Sequence, residues 1–265
     1  MKQPLKKSKQ PWYVRAFSAD YLARYAHRSD ALAHSELPFV LRALHLRERA
    51  MVLDLCCGAG RHSRALISAT AKGRVIGLDL SADLLRDAQA KNKTAKRLFF
   101  IRADMRRIPL ATSSIDGVAN LFTSFGYFKT DREHLSVLRE VSRVLVPGGR
   151  FVIDFFNRDF VVPNLVKRSE SESNGCLISE SRRYDARSRR IIKTIRIARQ
   201  ADAQAATPAE VFRESIRAYS AAELKSMLIE AGLKPLSVHG DLKGAAFNKK
   251  TSARCVWVAE KKRPL

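Results

Sequence analysis

The sequence predicts an α/β fold, a doubly wound and mostly parallel sheet that carries a separate antiparallel insert. Three observations predict it. Short apolar runs alternate with amphipathic stretches up to about residue 160. The first run leads into Gly58 and Gly60, and Asp79 stands at the end of the second, about twenty residues on. Beyond that point the pattern changes to alternation of apolar and polar residues.

Residues 1–11 carry Lys2, Lys6, Lys7 and Lys9 with no apolar stretch behind them, which reads as a disordered basic tail and not a secretory signal. Residues 12–49 read as a helical lead-in, with Tyr13, Phe17, Tyr21 and Tyr25 at four-residue steps. The runs at 51–55, 75–78, 98–101, 118–122 and 151–155 are short and mostly apolar, as suits strands buried on both faces. Residues 82–92 and 134–146 are amphipathic crossover helices between them, and Pro147-Gly148-Gly149 is a stop after a helix ending near Val146. The insert, 165–219, takes three antiparallel strands at 176–184, 190–199 and 211–219, with a polar, Ala-rich loop at 200–208. In its middle strand Ile191, Ile195 and Ile197 share one face and Arg190, Thr194 and Arg196 the other. The insert is placed over the carboxyl edge of the sheet as a lid. Ser220-Ala221-Ala222-Glu223 is a capping-box start, Gly232 a helix stop, and strands near 236–239 and 254–259 close the chain as a hairpin.

A chain of 265 residues with 46% hydrophobic content buries a substantial core, and no apolar run reaches the eighteen residues of a membrane span. Four cysteines, with Cys56 and Cys57 adjacent, make neither a disulfide framework nor a zinc spacing, so a reduced cytoplasmic protein without a metal is expected. The net charge of +23 raises the prospect of a polyanionic partner such as nucleic acid. The basic residues are spread over the tail, 91–107, 182–199 and 243–263, which a solvated surface explains equally well.

Gly58 and Gly60 let the backbone approach a ligand, and an acid at Asp79 accepts from both ribose hydroxyls of an adenosine. That spacing alone fits a nicotinamide cofactor or S-adenosylmethionine. A dinucleotide loop wants a third glycine at position 63, where this chain has Ser63. Asp104, after the third strand, is placed to accept from an adenine amine; its other reading is a cap or turn residue.

With these residues in view the chain resembles the class I S-adenosylmethionine-dependent methyltransferases, specifically a poorly characterised bacterial small-molecule group. The matching stretches are Leu53-Asp54-Leu55-Cys56-Cys57-Gly58-Ala59-Gly60-Arg61-His62, Gly77-Leu78-Asp79-Leu80-Ser81, Asp104-Met105-Arg106, 120–128 and 145–150. The resemblance implies a Rossmann-like, seven-stranded sheet with its last strand antiparallel, and residues 12–265 as the methyltransferase domain. It implies that Asp54 holds the methionine end through water, that Gly58 and Gly60 line it, and that Arg61 and His62 reach its carboxylate. Asp79, with Leu80 beside it, would take the ribose; Asp104 and Met105 would frame the adenine; the Leu121 carbonyl would meet the ammonium. Cys56 departs from the glycine usual at that place.

In-line methyl transfer depends on positioning and desolvation, so the lack of a catalytic triad is no objection. Tyr21 and Tyr25 resemble aromatics that cover the cofactor, or form a packing stripe; Ser124, Tyr127 and Asn157 stand at the acceptor rim, or serve buried hydrogen bonding. The segment Asn120-Leu121-Phe122-Thr123 lacks the Pro-Pro-aromatic pattern of enzymes that methylate base amines in nucleic acid. The expected reaction is methylation of N or O on a small molecule. An RNA- or protein-directed enzyme using the basic surface and a non-catalytic cofactor-binding scaffold are the alternatives, and homodimerisation is left open.

Overall fold

A computed structural model describes residues 11–17, 30–173, 175–199 and 210–263. In chain order it holds α1 (Trp12–Ala16), α2 (Asp30–Leu44), β1 (Met51–Leu55), α3 (Arg61–Ala69), β2 (Arg74–Asp79), α4 (Ala82–Ala90), β3 (Leu98–Arg102) and β4 (Ile115–Asn120). There follow α5 (Asp131–Val144), β5 (Leu145–Phe156), α6 (Arg158–Val161), β6 (Arg168–Ser173), β7 (Cys176–Asp185), β8 (Arg190–Arg199) and β9 (Glu210–Arg217). The chain then completes its main sheet with α7 (Ala221–Glu230), β10 (Leu233–His239) and β11 (Arg254–Lys261).

The main sheet has seven strands in the order β10-β11-β5-β4-β1-β2-β3. Its first five strands along the chain are parallel, and β11 runs antiparallel to both β5 and β10. The chain travels outward from β1 to β3 and then returns to β4 on the other side of β1. That reversal opens a crevice at the carboxyl ends of β1 and β4, where open α/β sheets take their ligands. Alternate residues of β1 serve opposite faces: Leu53 and Leu55 pack with α5 and α7, while Val52 packs with α2 and α3. Burial on both faces is the physical reason that the parallel strands read as mostly apolar runs.

The structure departs from the sequence-based expectations in three places. Within the helical lead-in, α1 stops at Ala16, and residues 45–49 are turns and not helix up to β1. Pro147-Gly148-Gly149 does not end a helix; α5 stops at Val144 and these residues lie inside β5. There the register passes from Ile115↔Leu145 to Gly117↔Arg150, so residues 146–149 form a bulge that accommodates a proline without a ladder N–H and Gly148 at φ +79°. Finally, the insert has four strands, ordered β6-β7-β8-β9, and not three. The missed strand, β6, reads Arg-Ser-Glu-Ser-Glu-Ser and offers no apolar alternation; only its pairing with β7 makes it a strand. Such a polar edge discourages association with other sheets.

The capping box expected at Ser220 and Glu223 is present, with reciprocal bonds of 3.1 and 2.8 Å. The loop expected at 200–208, like the tail at 1–10, lies outside the described residues. Among the described residues no helix is long and apolar enough to cross a membrane.

Candidate functional site

A cavity of about 490 Å³ occupies the crevice, lined by the segments that follow β1, β2, β3 and β4. Trp12 of α1, Phe17 just after it, and the β9 residues Glu214 and Ile216 wall it from the other side.

The loop after β1 turns through three left-handed residues, Cys56 at φ +63°, Gly58 at +55° and Gly60 at +72°. A Cβ on Gly60 would stand 2.8 Å from the Phe100 ring, so glycine is needed there to let α3 pack on the sheet. At Gly58 the nearest atom to a Cβ would be 3.8 Å away, and the backbone angle itself calls for glycine. A side chain at Cys56 costs about 1 kcal/mol in this conformation. Its sulfur rests 3.4 Å from that of Met105, which offsets part of the cost.

Asp79 is held by the loop that it faces. Its carboxylate accepts from the N–H of Gly58 and that of Ser81, each at 2.8 Å. Burial raises its pKa against the lowering effect of these bonds. Each oxygen keeps lone-pair capacity for a further donor. Ser81 caps α4 and donates to the Phe17 carbonyl at 2.6 Å, which fastens the end of α1 beside Asp79.

Asp104 follows the end of β3. It lies on the wall, and it accepts from the Arg106 N–H at 2.9 Å as a turn residue. Burial would raise its carboxyl, but the Arg106 guanidinium, 2.6 Å away, holds it below the usual range. Arg106 bridges on to Glu133 at 2.6 Å and lies over the Phe128 ring.

Of the remaining predicted residues, Arg61, Leu80, Met105, Leu121, Ser124 and Tyr127 line the cavity. The Leu121 carbonyl already accepts from the Ser124 hydroxyl at 2.9 Å. His62 also lines it and is no solvent-facing residue, being 7% exposed and 3.1 Å from Glu36. Three residues are placed elsewhere. Asp54 is buried beneath the loop, where the Ser63 hydroxyl donates to it at 2.6 Å; burial raises its pKa. Gly60 does not line the cavity, and a Cβ there would face Phe100. Asn157 is spent on structure: its amide donates to the carbonyls of Lys249 and Ser252 at 2.9 and 2.8 Å, and its oxygen caps α6. This joins the end of β5 to the loop before β11, so Asn157 is not at the acceptor rim. Tyr21 and Tyr25 lie outside the described residues.

Sequence reasoning missed several wall residues. Trp12 and Phe17, two of them, pack against the predicted Tyr127 at ring-centroid distances of 5.1 and 5.6 Å. Arg254 arrives from β11, and Glu214 and Ile216 from the insert, positions that no local motif connects with the site. The insert is tied to the segment after β4 and does not hang as a free lid. The Arg190 guanidinium donates to the carbonyls of Phe128 at 2.9 Å, Gly126 at 3.1 Å and Ser215 at 2.6 Å, and the Arg217 N–H donates to Gly126.

Behind this wall lies a buried polar chain whose protons are fixed by its contacts. The Phe128 N–H donates to His134 Nε2 at 3.0 Å, so the imidazole proton sits on Nδ1 and is donated to the Tyr219 hydroxyl at 2.7 Å. Tyr219 in turn donates to Asp131 at 2.7 Å. Burial first, then nearby Arg190, pushes the His134 pKa down to about 4, against the opposing pull of Asp131 and Glu133.

Residues 52–149 match a protein family described as "Methyltransferase domain". A demethylmenaquinone methyltransferase of Lactococcus lactis subsp. lactis (strain IL1403) is 38% identical over 105 residues, which are 38% of this chain and 40% of that protein. The chain thus spans less than half the length of the curated relatives that it matches. Among solved structures, an S-adenosylmethionine-dependent methyltransferase from Clostridium acetobutylicum ATCC 824 superposes with a TM-score of 0.75 at 15% identity, over 94% of this chain and 98% of that one. The sugar N-methyltransferase KedS8 from Streptoalloteichus sp ATCC 53650 gives 0.67 at 20% identity, over 99% of this chain and 97% of that one. These likenesses establish the fold.

Proposed function

With residues 52–149 read as a methyltransferase domain, we propose that this chain transfers the methyl group of S-adenosylmethionine to a nitrogen or oxygen of a small-molecule acceptor. The observation that carries the reading is Asp79, a carboxylate on the cavity wall that the loop's own Gly58 N–H orients. The fit is chemical: an acid for vicinal hydroxyls, a second at Asp104 for an amine, and a peptide carbonyl at Leu121 for an ammonium. Gly58 leaves the approach open, while Met105 and Leu80 supply apolar surface.

When bound, S-adenosylmethionine supplies a methyl on a sulfonium, a good leaving group. The carbon–sulfur bond breaks as the bond from carbon to the acceptor forms, and the acceptor gives up a proton. The chain's contribution is to align the two reactants and exclude water, which Trp12, Phe17 and Tyr127 serve from above the crevice. The 490 Å³ of the cavity suits a small acceptor beside the donor. KedS8, a sugar N-methyltransferase, matches almost the whole chain in fold, which supports a nitrogen of a small molecule as the target.

The test is a radiolabelled methyl-transfer screen over cell extract separated into small-molecule, RNA and protein fractions. Label in the small-molecule fraction is the expected result. Label in RNA, with binding that falls steeply as salt rises, would favour the alternative that the charge of +23 keeps open. Binding of S-adenosylmethionine with no label in any fraction would leave a scaffold.

A further inference from the structure

Two guanidinium groups converge on one phenyl ring at the β4 end of the cavity. Arg61 Cζ lies 4.5 Å and Arg254 Cζ 5.4 Å from the centroid of the Phe122 ring. All three residues line the cavity, although they come from the start of α3, the segment after β4 and the start of β11. Cations drawn to one ring gain from its quadrupole but repel each other. Asp154, fully buried, pairs with Arg254 through Nε at 2.5 Å and through Nη2.

The backbone beneath is strained to maintain this arrangement. Phe122 and Thr123 sit at φ +59° and +58°, left-handed angles that are outliers for a bulky and a β-branched residue. Asp154 holds both, its carboxylate accepting from the Phe122 N–H at 2.9 Å and its carbonyl from that of Thr123 at 3.0 Å. One buried acid therefore fixes the ring and one of the two guanidiniums. Planar guanidinium forks match carboxylates and phosphates, and a ring packed beside them limits their freedom.

We propose that Arg61 and Arg254 together hold an anionic group of the methyl acceptor, a carboxylate or a phosphate. The assignment rests on the methyltransferase reading above. It places the anion toward β5 and β11, on the far side of β4 and β1 from Asp79 and Asp104. The donor's own carboxylate offers the same chemistry, and the experiment separates the two sources.

The full chain, saturated with S-adenosylhomocysteine, is titrated with anilinonaphthalene sulfonate and with its uncharged parent, phenylnaphthylamine. The sulfonate binds more tightly, by about tenfold or more, as a charge-assisted contact would give. Arg61→Gln leaves the Asp154–Arg254 pair intact, and Arg254→Lys keeps a cation over the buried acid while removing the fork. Each removes most of the preference for the sulfonate and leaves affinity for the neutral dye unchanged. An unaltered preference in both variants overturns the proposal. So does a loss of S-adenosylhomocysteine affinity in Arg61→Gln with the dye preference intact, which assigns the pair to the donor's carboxylate. Failure of S-adenosylhomocysteine to bind the wild-type chain refutes the methyltransferase reading instead; the dye comparison is then made without it and still decides the anion site.

Discussion

Protonation of His134 breaks a bond that holds the cavity wall in place. Its Nε2 is the acceptor for the Phe128 N–H, and a proton there sets donor against donor in a site closed to water. The folded pKa, about 4, lies below the ordinary 6.5. The unfolded chain therefore takes up a proton below about pH 6.5 that the folded chain refuses until about pH 4. The stability contributed by the neutral form is present above that window and is lost as pH falls through it. With ~1.4 kcal/mol for each factor of ten in proton binding, the loss by pH 4 is at most about 3 kcal/mol. Acidic groups held below their usual range, such as Asp131 and Glu140, also lose stability in acid. The measurement is therefore a difference: urea unfolding at several pH values from 7 to 4, wild type against His134→Gln. Glutamine provides one acceptor and one donor and takes no proton. The variant starts less stable at pH 7 and the gap narrows toward pH 4 by up to about 3 kcal/mol. Parallel curves would refute the assigned protonation of the imidazole.

Three further outcomes are expected. Asp79→Ala removes the acceptor facing the cavity and lowers S-adenosylhomocysteine affinity by at least about tenfold in calorimetry; unchanged affinity would sink the ribose assignment. Gly60→Ala forces a Cβ to 2.8 Å from Phe100 at φ +72°, costing about 1–3 kcal/mol in denaturant unfolding; a neutral result would show that the loop is laxer than its geometry indicates. Asn157→Ala strands the Lys249 and Ser252 carbonyls and costs about 1–3 kcal/mol, with S-adenosylhomocysteine affinity unchanged because the side chain does not reach the cavity. A weakened affinity at full stability would return Asn157 to the site.

The parallel part of the fold was legible because burial on both faces of β1, β2 and β4 leaves mostly apolar runs in the chain. The strand β6 was not, since a polar edge is specified by its partner and carries no period of its own. Pro147-Gly148-Gly149 misled for a related reason: a proline that breaks a helix is equally at home in a bulge, and the buried Leu145 decided between them. At the site, the acids at the ends of β2 and β3 could be read from their spacing, because the chain visits those strand ends in sequence. Ser63 was noticed only as an absent glycine, whereas it donates to Asp54. Arg254 and Asp154 are separated by 100 positions and meet only because β11 pairs with β5. Asn157 stood at the expected strand end, yet the demand of two loop carbonyls for a donor took its side chain.

The Arg190 joint between the insert and the segment after β4 is made to main-chain oxygens, at Gly126, Tyr127 and Phe128. Every amino acid presents such an oxygen. A change of side chain at Tyr127 therefore alters the face shown to the cavity and leaves the Arg190 joint as tight as before. This wall of the crevice is in this sense exchangeable, free to acquire new preferences by single substitutions. The loop after β1 is not, since Gly58 and Gly60 are held to their identities by backbone angle.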